Sequence, residues 1–376
     1  MAYTTIDRPE DYFKAKLHTG DASNHQTVNV GFRPDWIWLK SRTQTYSHYI
    51  LDTSRQSDGS SMPSGDANMY NYLLTNATDA EADNNSDGIV QTSTGFIVDQ
   101  DSQSLGEGGQ SATSTVGENM ASYSWIANGG SLTTNDASAT SIGTIDSQYQ
   151  VNTTAGFSIV TYTGNGTAGA SWAHGLGSVP HWIIVKGRNL ANDWAVYHKA
   201  NTSAPETDFV NLQSSDATSD SNTRWNDTAP TSTVVTVGNN AAVNGNTYNY
   251  VAYCFTEKQG YSKFGSYVGN NNADGPFVYT GFKPAWVLIK ATAGSENWGL
   301  FDNVRNKEPN NPRDIYFTPS TNAADSSESD SVDFLSNGFK WRIASGFRNG
   351  DGVSFIYAAF AESPFVTSNG VCANAG

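Results

Sequence analysis

Charged side chains are scarce in this sequence. Lys, Arg, Asp and Glu make up 15% of the 376 residues, against about 25% in ordinary soluble proteins. Basic residues are the scarcer sign, since 21 Lys and Arg face 36 Asp and Glu, for a net charge of −15. Because so negative a chain repels phosphate groups and anionic lipids, we expect no nucleic-acid partner and no membrane insertion.

Cysteines and long apolar runs are also nearly missing. The two cysteines, Cys254 and Cys372, can build neither a disulfide framework nor a Cys-rich metal site. Stability must therefore come from packed cores. No apolar stretch approaches the roughly 20 residues needed to cross a bilayer, and the N-terminus lacks the basic and apolar regions of a signal peptide.

Gly, Ser, Thr, Asn and aromatic residues are abundant instead. Short β-branched or aromatic runs, such as residues 36–39, 157–162 and 233–237, are bounded by turn residues, which is typical of strands. Their spacing of about ten residues predicts an all-β fold of antiparallel sandwiches with jelly-roll or related topology. A barrel is the alternative.

One motif occurs three times. Residues 31–40, Gly-Phe-Arg-Pro-Asp-Trp-Ile-Trp-Leu-Lys, recur closely at 281–290 and more loosely at 177–186, with Gly, Pro, Trp and Lys in register. A second element ends twelve residues after each lysine, at Asp52, His198 and Asp302. Residues 250–257 and 355–362 are similar closing strands, and residues 121–125 close the first copy. Identical internal spacing predicts tandem copies of one unit.

The repeat predicts three tandem copies of a jelly-roll-like antiparallel β-sandwich module. We place them at 1–130, 154–258 and 259–366, which we call segments 1, 2 and 3. Residues 131–153 carry turn residues without an apolar period and are predicted to be a linker or long loop, and 367–376 a tail.

The repeated Pro and Trp are predicted to be structural. A proline that opens a strand does little harm to the ladder, and a tryptophan two residues later is a natural core anchor. The repeat core anchors are Pro34, Pro180, Pro284, Trp36, Trp182 and Trp286.

The sequence offers no convincing catalytic, cofactor or metal motif. Residues 164–169 fit G-x-G-x-x-G, but the residues that follow cannot form the helix that a dinucleotide needs, so a hairpin turn is expected. Leu-Asp-Thr-Ser at 51–54 lacks the second copy that an aspartic protease requires. The six histidines show no paired-ligand spacing. The acidic loops 79–87 and 325–330 could hold calcium, but are expected to be solvated.

Several of these stretches together resemble a known family. They are Gly-Phe-x-Pro-Asp-Trp-Ile-Trp-Leu-Lys-Ser-Arg at 31–42, Leu-Asp-Thr-Ser-Arg at 51–55, the acidic loop, and Tyr-Ala-Ala-Phe-Ala-Glu-Ser-Pro-Phe at 357–365. This set resembles a repeated β domain in tail-fibre and virion structural proteins of marine bacteriophages. The resemblance implies a structural role and supplies no binding residue. Segment 2 diverges most, so its surface is expected to serve a different contact.

The resulting functional prediction is a non-enzymatic virion structural protein, assembled in the host cytoplasm. It would be tail-associated, as a fibre or tip protein with a role in host recognition, or exposed on the virion surface; the alternative is a capsid decoration or vertex protein. Expected partners are other virion proteins, further copies of the chain, and a glycan or protein of the host surface. No cofactor is expected.

A carbohydrate-binding or carbohydrate-active protein is the alternative of another class, because sandwiches with aromatic loops commonly hold sugars. The aromatic residues predicted to touch such a ligand are Tyr46, Tyr70 and Trp225.

Overall fold

The structure is a computed structural model that describes residues 3–20, 26–55, 68–69, 71–83, 89–98, 118–306 and 311–373. The expected all-β fold of antiparallel sheets is confirmed. The α-helices in these ranges are single turns of four residues. Within the same ranges, no helix has the length and apolar character needed to span a membrane.

Strands β1 to β10 lie in segment 1, after a 3-10 turn at Pro9–Asp11. They are β1 Phe13–Thr19, β2 Gln26–Asn29, β3 Trp36–Ser41, β4 Tyr49–Asp52, β5 Asn68–Met69, β6 Asn71–Leu74, β7 Ala82–Asp83, β8 Ile89–Thr92, β9 Gly95–Val98 and β10 Asn119–Trp125.

Segment 2 is preceded by β11 Thr133–Asn135, α1 Ala137–Thr140 and β12 Ser147–Asn152. Its own elements are β13 Phe157–Thr163, β14 Ala170–Ala173, β15 Trp182–Gly187, β16 Ala195–His198, β17 Asp208–Asn211, β18 Ser219–Asp220, α2 Asn222–Trp225, β19 Val234–Val237, α3 Ala241–Asn244 and β20 Asn249–Phe255.

Segment 3 contains the last eight strands and one helical turn. They are β21 Ser262–Val268, β22 Phe277–Tyr279, β23 Phe282–Ala291, β24 Gly299–Asp302, β25 Arg313–Phe317, β26 Ser326–Leu335, β27 Gly338–Trp341, α4 Gly346–Asn349 and β28 Ser354–Pro364.

The same strand pairings occur in all three segments. The first strand pairs with the last, the last with the strand that carries the repeated Trp, and that strand with the next along the chain. The registers agree, since Trp125, Phe255 and Phe360 on the last strands face Trp36, Trp182 and Trp286 respectively. On their other side they face Phe13, Phe157 and Ser262 on the first strands. Residues at these matching positions are called corresponding residues below.

The apolar run of β3 is continuous because both of its faces are buried. Trp36 and Trp38 point to one core, and Ile37 and Leu39 to another. Side chains alternate along a strand, so a four-residue run with two buried faces must be apolar throughout.

One hydrophobic core is shared by all three segments. Trp36, Trp182 and Trp286 lie in it, each at most 1% exposed. Its other members include Trp125, Phe255 and Phe360, whose ring centroids lie 5.4 to 6.5 Å apart. Burying one such ring stabilises the fold by roughly 4 to 6 kcal/mol at most.

Three further cores belong to one segment each. They lie in segments 1, 2 and 3 respectively, and Ile145, which precedes segment 2, joins the second of them. The repeated prolines are all buried. Pro34 and Pro180 precede their strands, and Pro284 lies at a register shift inside β23, where a missing N–H is tolerated.

The contacts between segments close into a ring. The backbone N–H of Glu81 donates to Arg188 O at 2.7 Å, joining segments 1 and 2. The bonds from Thr218 to Thr292 O (3.0 Å) and from Asp325 to Arg42 O (2.8 Å) join segments 2 and 3, and segments 3 and 1. We call these contacts joint 1/2, joint 2/3 and joint 3/1. The same backbone hydrogen bond thus occurs at each of the three joints, and each segment contacts both of the others.

The region predicted to be a linker is structured. Residues 131–153 form β11, α1 and β12, and β12 pairs with β13 over six residues. The prediction was wrong because the alternation in β12 is short and lies among turn residues: Tyr149 and Val151 pack against the core of segment 2, and Gln150 between them bonds to segment 1. The expected hairpin at 164–169 was also wrong, because it connects β13 and β14, which lie in different sheets.

The chain after residue 366 folds back onto the N-terminal segment. The backbone N–H of Ser368 donates to the carboxylate of Asp7 at 2.6 Å. Thr367 and Val371 close a turn through a backbone bond of 2.8 Å. The described part of the tail, up to residue 373, is therefore anchored by hydrogen bonds.

Candidate functional site

Joint 1/2 is held by a buried ionic cluster. Arg55, fully buried, donates to Asp52 at 2.5 Å and to Glu81 at 2.7 Å. Segment 2 contributes Arg188, which also binds Glu81 at 2.9 Å, and Tyr253, whose hydroxyl donates to Asp52 at 2.6 Å. Burial would raise the pKa of Glu81, but the two arginines outweigh it and hold that pKa below its ordinary value.

Joint 3/1 repeats this cluster with corresponding residues. Arg305 donates to Asp302 and, at 2.9 Å, to Asp325. Segment 1 contributes Arg42, bound to Asp325 at 2.7 Å, and Tyr123, bound to Asp302 at 2.6 Å. Glu81 and Asp325 come from the acidic loops that were expected to be solvated, and that expectation was wrong for both. They are ion-pair partners that close the ring.

Joint 2/3 has different chemistry at the corresponding positions. His198 and Asn201 replace the Asp and Arg, and Thr292 and Ala358 replace the neighbour's Arg and Tyr. The Nε2 of His198 lies 3.0 Å from Tyr357 O, and its Nδ1 accepts the N–H of Ala200 at 3.2 Å. Burial lowers the pKa of His198 to about 4, so the ring is neutral. All four positions differ from those at the other two joints.

An open groove of about 430 Å³ lies beside this joint. Glu257 is its central charge, with Lys199 at 2.7 Å and Lys263 at 3.4 Å from its carboxylate. Burial opposes the charged form, yet the lysines and the N–H of Phe264 at 3.0 Å lower the pKa of Glu257. The Nδ1 of His181 already accepts the N–H of Glu257 at 3.0 Å.

Two tyrosines form the outer wall of the groove. The hydroxyl of Tyr3 donates to Gly281 O at 2.8 Å and lies 3.2 Å from that of Tyr279. Tyr279 is 53% exposed. Burial and the neighbouring hydroxyl raise the pKa of Tyr3. A carboxylate neutralised by two ammonium groups is a poor general base, and the other groups that the groove offers are aromatic faces and hydrogen-bonding side chains.

The three repeated lysines form hydrogen bonds with backbone carbonyl groups. The Nζ of Lys40 donates to two backbone carbonyls of its own segment, at 2.8 and 3.1 Å. Lys186 binds Thr78 O across joint 1/2 at 2.9 Å, and Lys290 binds Ser215 O across joint 2/3 at 3.2 Å. Burial lowers the pKa of Lys40 to about 7, and those of Lys186 and Lys290 to about 8.

The predicted ligand-contact residues do not converge on this groove. Trp225 is 1% exposed and packs in the core of segment 2, so its assignment as a ligand contact was wrong. The single turn α2, capped by Ser221, directs its ring inward against Tyr197 at 6.0 Å. Tyr46 is partly buried against the core of segment 1. Tyr70 lies outside the described residues.

Sequence reasoning missed Tyr3, Tyr279, Glu257 and Lys263. The available signal was the divergence of segment 2, whose His198 and Asn201 depart from the repeated Asp and Arg beside this groove. No three His, Cys, Asp or Glu side chains in the described part of the chain come together as metal ligands.

A family model described as a domain of unknown function (DUF7483) matches residues 8–364. No curated protein and no solved structure matches the chain. The matched range spans all three segments and their three joints. The whole ring is thus the unit that the family model describes, and this chain belongs to the DUF7483 family.

Proposed function

We propose that this chain is a non-enzymatic structural protein of a bacteriophage virion, tail-associated or exposed on the particle surface. The observation that carries the proposal is that the charged side chains of the repeated motifs pair with each other inside the protein. Asp52, Arg55, Asp302 and Arg305 are fully buried in two joints, and their charges are satisfied by each other. Such residues build a rigid scaffold and leave contact to loops and edges.

We also propose that the three segments are copies of one sandwich module with jelly-roll-like connections. The equal registers of the first, last and Trp-bearing strands support it. The resemblance of the repeated motif to marine phage tail-fibre proteins supports the virion assignment. Its partners would be other virion proteins, further copies of the chain and a host-surface glycan or protein, with assembly in the host cytoplasm.

Immunogold labelling tests the placement. Antibodies raised against the recombinant ring would be applied to purified particles from lysed cells that carry the gene. Label at the tail supports a fibre or tip protein, and label over the capsid or at a vertex supports decoration. Antibody pre-absorbed with the ring is the control. Particles that carry no label, with the protein left in the soluble lysate, would refute the virion role.

A carbohydrate-binding protein is the second candidate, favoured by the groove at joint 2/3. Sugar rings stack on exposed aromatic faces, and Tyr279 offers one beside Lys263 and Glu257. Binding to a glycan array should fall about tenfold in Tyr279→Ala, which is roughly 1.4 kcal/mol. Phe277→Ala is the matched control, because Phe277 is 46% exposed on the same strand but does not line the groove. If both variants lose the same affinity for glycans, or if the wild-type protein binds no glycan, the groove is not a sugar-binding site.

A further inference from the structure

The outer edge of one first strand is covered by the chain itself. In segment 2, β12 runs antiparallel along β13 from Ser147 opposite Tyr162 to Asn152 opposite Phe157. The corresponding strands β1 and β21 are the last strands at one side of their sheets in the described part of the chain. An uncovered edge presents backbone N–H and C=O groups that can pair with another strand.

Gln150 fixes β12 at joint 1/2. It lies opposite Ile159, and its side chain is fully buried. Its Nε2 donates to the hydroxyls of Thr53 and Ser54, at 2.6 Å each. Its Oε1 accepts the N–H of Gly130 at 3.1 Å. One long polar side chain thus anchors an added strand between two segments.

The same place at joint 3/1 is an empty cavity of about 280 Å³. It is lined on one side by Ala15 of β1, which corresponds to Ile159. On the other side it is lined by Asn303 and Val304, which correspond to Thr53 and Ser54. Among the described residues, the edge strand and the contact positions of the anchor are present without an added strand.

At joint 2/3 a side chain takes the place of the strand. Phe264 corresponds to Ile159 and Ala15, and its N–H donates to the carboxylate of Glu257 at 3.0 Å. Lys199 and Lys263 hold that carboxylate in position. In the described part of the chain, the edge of β13 is covered by β12, the edge of β21 has the N–H at its anchor position bound to Glu257, and the edge of β1 at Ala15 has neither.

We propose that β1 and this cavity receive an extended strand of a partner protein, antiparallel to β1, with a long hydrogen-bond-donor side chain in the cavity. Glu10 and Glu362 on the cavity wall suit Gln, Arg or Lys, because a carboxylate keeps free lone pairs beyond the bond from Arg8 (3.2 Å) or from Asn303 (2.8 Å). Two copies of β1 pair poorly with each other, because Lys14 and Lys16 would face like charges across the pair. Strand addition of this kind uses backbone bonds for affinity and a side-chain pocket for specificity.

Fluorescence anisotropy with the full-length protein tests the site. The probe is a labelled peptide with the sequence of residues 145–153, in which the residue corresponding to Gln150 is Gln or Arg. We expect saturable binding, and a loss of about tenfold or more when that residue is Ala. The same peptide with N-methyl groups on its strand-pairing amides should not bind, because it cannot form the ladder. Equal binding of the N-methylated peptide would overturn strand addition.

Val304→Trp, which fills the cavity, should abolish peptide binding, whereas Thr134→Trp, in an open cavity elsewhere, should not. If Val304→Trp does not fold, the peptide variants decide alone. The absence of binding by any peptide up to about 1 mM would overturn the proposal. A concentration-dependent dimer that the peptide dissociates would also overturn it, because the occupant of the site would then be a second copy of the chain. The strand site depends only on the ring geometry, so it can fail while the virion role holds.

Discussion

Arg55→Met tests whether the three segments unfold as one body. Arg55 is fully buried and binds Asp52 (2.5 Å), Glu81 (2.7 Å) and the carbonyl of Ile50 (2.9 Å). Methionine has a comparable length and keeps much of the packing, but it leaves Asp52 without its cation. Breaking a buried ion pair by removing one partner costs about 3 to 5 kcal/mol.

The shift of the melting temperature depends on how much of the chain melts together. Unfolding entropy is about 2.1 cal/mol/K per residue, which gives roughly 0.8 kcal/mol/K for 376 residues. If the ring melts as a unit, 3 to 5 kcal/mol lowers Tm by about 4 to 6 °C. If a segment of about 120 residues melts alone, the same loss lowers the Tm of that segment by about 12 to 20 °C and leaves the others in place.

Scanning calorimetry of the purified chain separates these outcomes, with guanidinium unfolding for the free energy. We expect one transition that moves by about 5 °C, because the shared core and all three joints couple the segments. Asn201→Ala, at the corresponding position of joint 2/3, is the control. It removes the bond from Thr218 to Asn201, 2.7 Å long, worth about 1 kcal/mol. If Arg55→Met lowers the free energy of unfolding by less than about 1 kcal/mol, the buried ion pair does not stabilise the joint as argued. If several transitions appear and only one of them shifts, the segments do not unfold as one body.

Three other predictions follow from the same structure. Trp286→Ala should cost about 3 to 5 kcal/mol and lower the Tm of the whole ring, since Trp286 belongs to the shared core; a shift confined to one of several calorimetric transitions would contradict it. The pKa of His198 is about 4 in the fold against 6.5 in the unfolded chain, so acidification protonates the unfolded chain first and stability falls between pH 6.5 and 4. In urea titrations, the free energy of unfolding of His198→Gln should fall by up to about 3 kcal/mol less than that of the wild type over this pH range. The same pH profile in both proteins would show that His198 does not cause the fall. A thiol reagent should label exposed Cys372 in the native protein and buried Cys254 only in denaturant; two labels per native chain would contradict the burial of Cys254.

The strands could be predicted from the sequence because the burial of their two faces determines the pattern of apolar residues along them. The alternation of Trp36 and Trp38 with Ile37 and Leu39 predicts a strand buried on both sides. Repetition of that run at a constant distance from Asp52 and Asp302 gives the same pairing in each segment. Local pattern and repeat spacing are properties of one segment, so one sequence is enough to read them.

The joints could not be predicted, because they depend on residues that meet only after the segments pack. Arg188 and Tyr253 carry no local pattern that points to Glu81 and Asp52. Gln150 looks like a loop residue because its contacts are polar, and they lie in another segment. Trp225 was misassigned for a similar reason, since a single helical turn decides whether an isolated aromatic faces solvent or the core.

Joining three different segments in one chain limits the number of identical binding sites that each ring can present. In a trimer of identical subunits, a substitution that opens a groove opens three. Here Glu257 and Tyr279 line a groove beside one joint, and the described part of each ring therefore has one groove of this composition. Avidity for a surface with many identical ligands would then have to come from the number of rings displayed and their spacing, not from the ring itself.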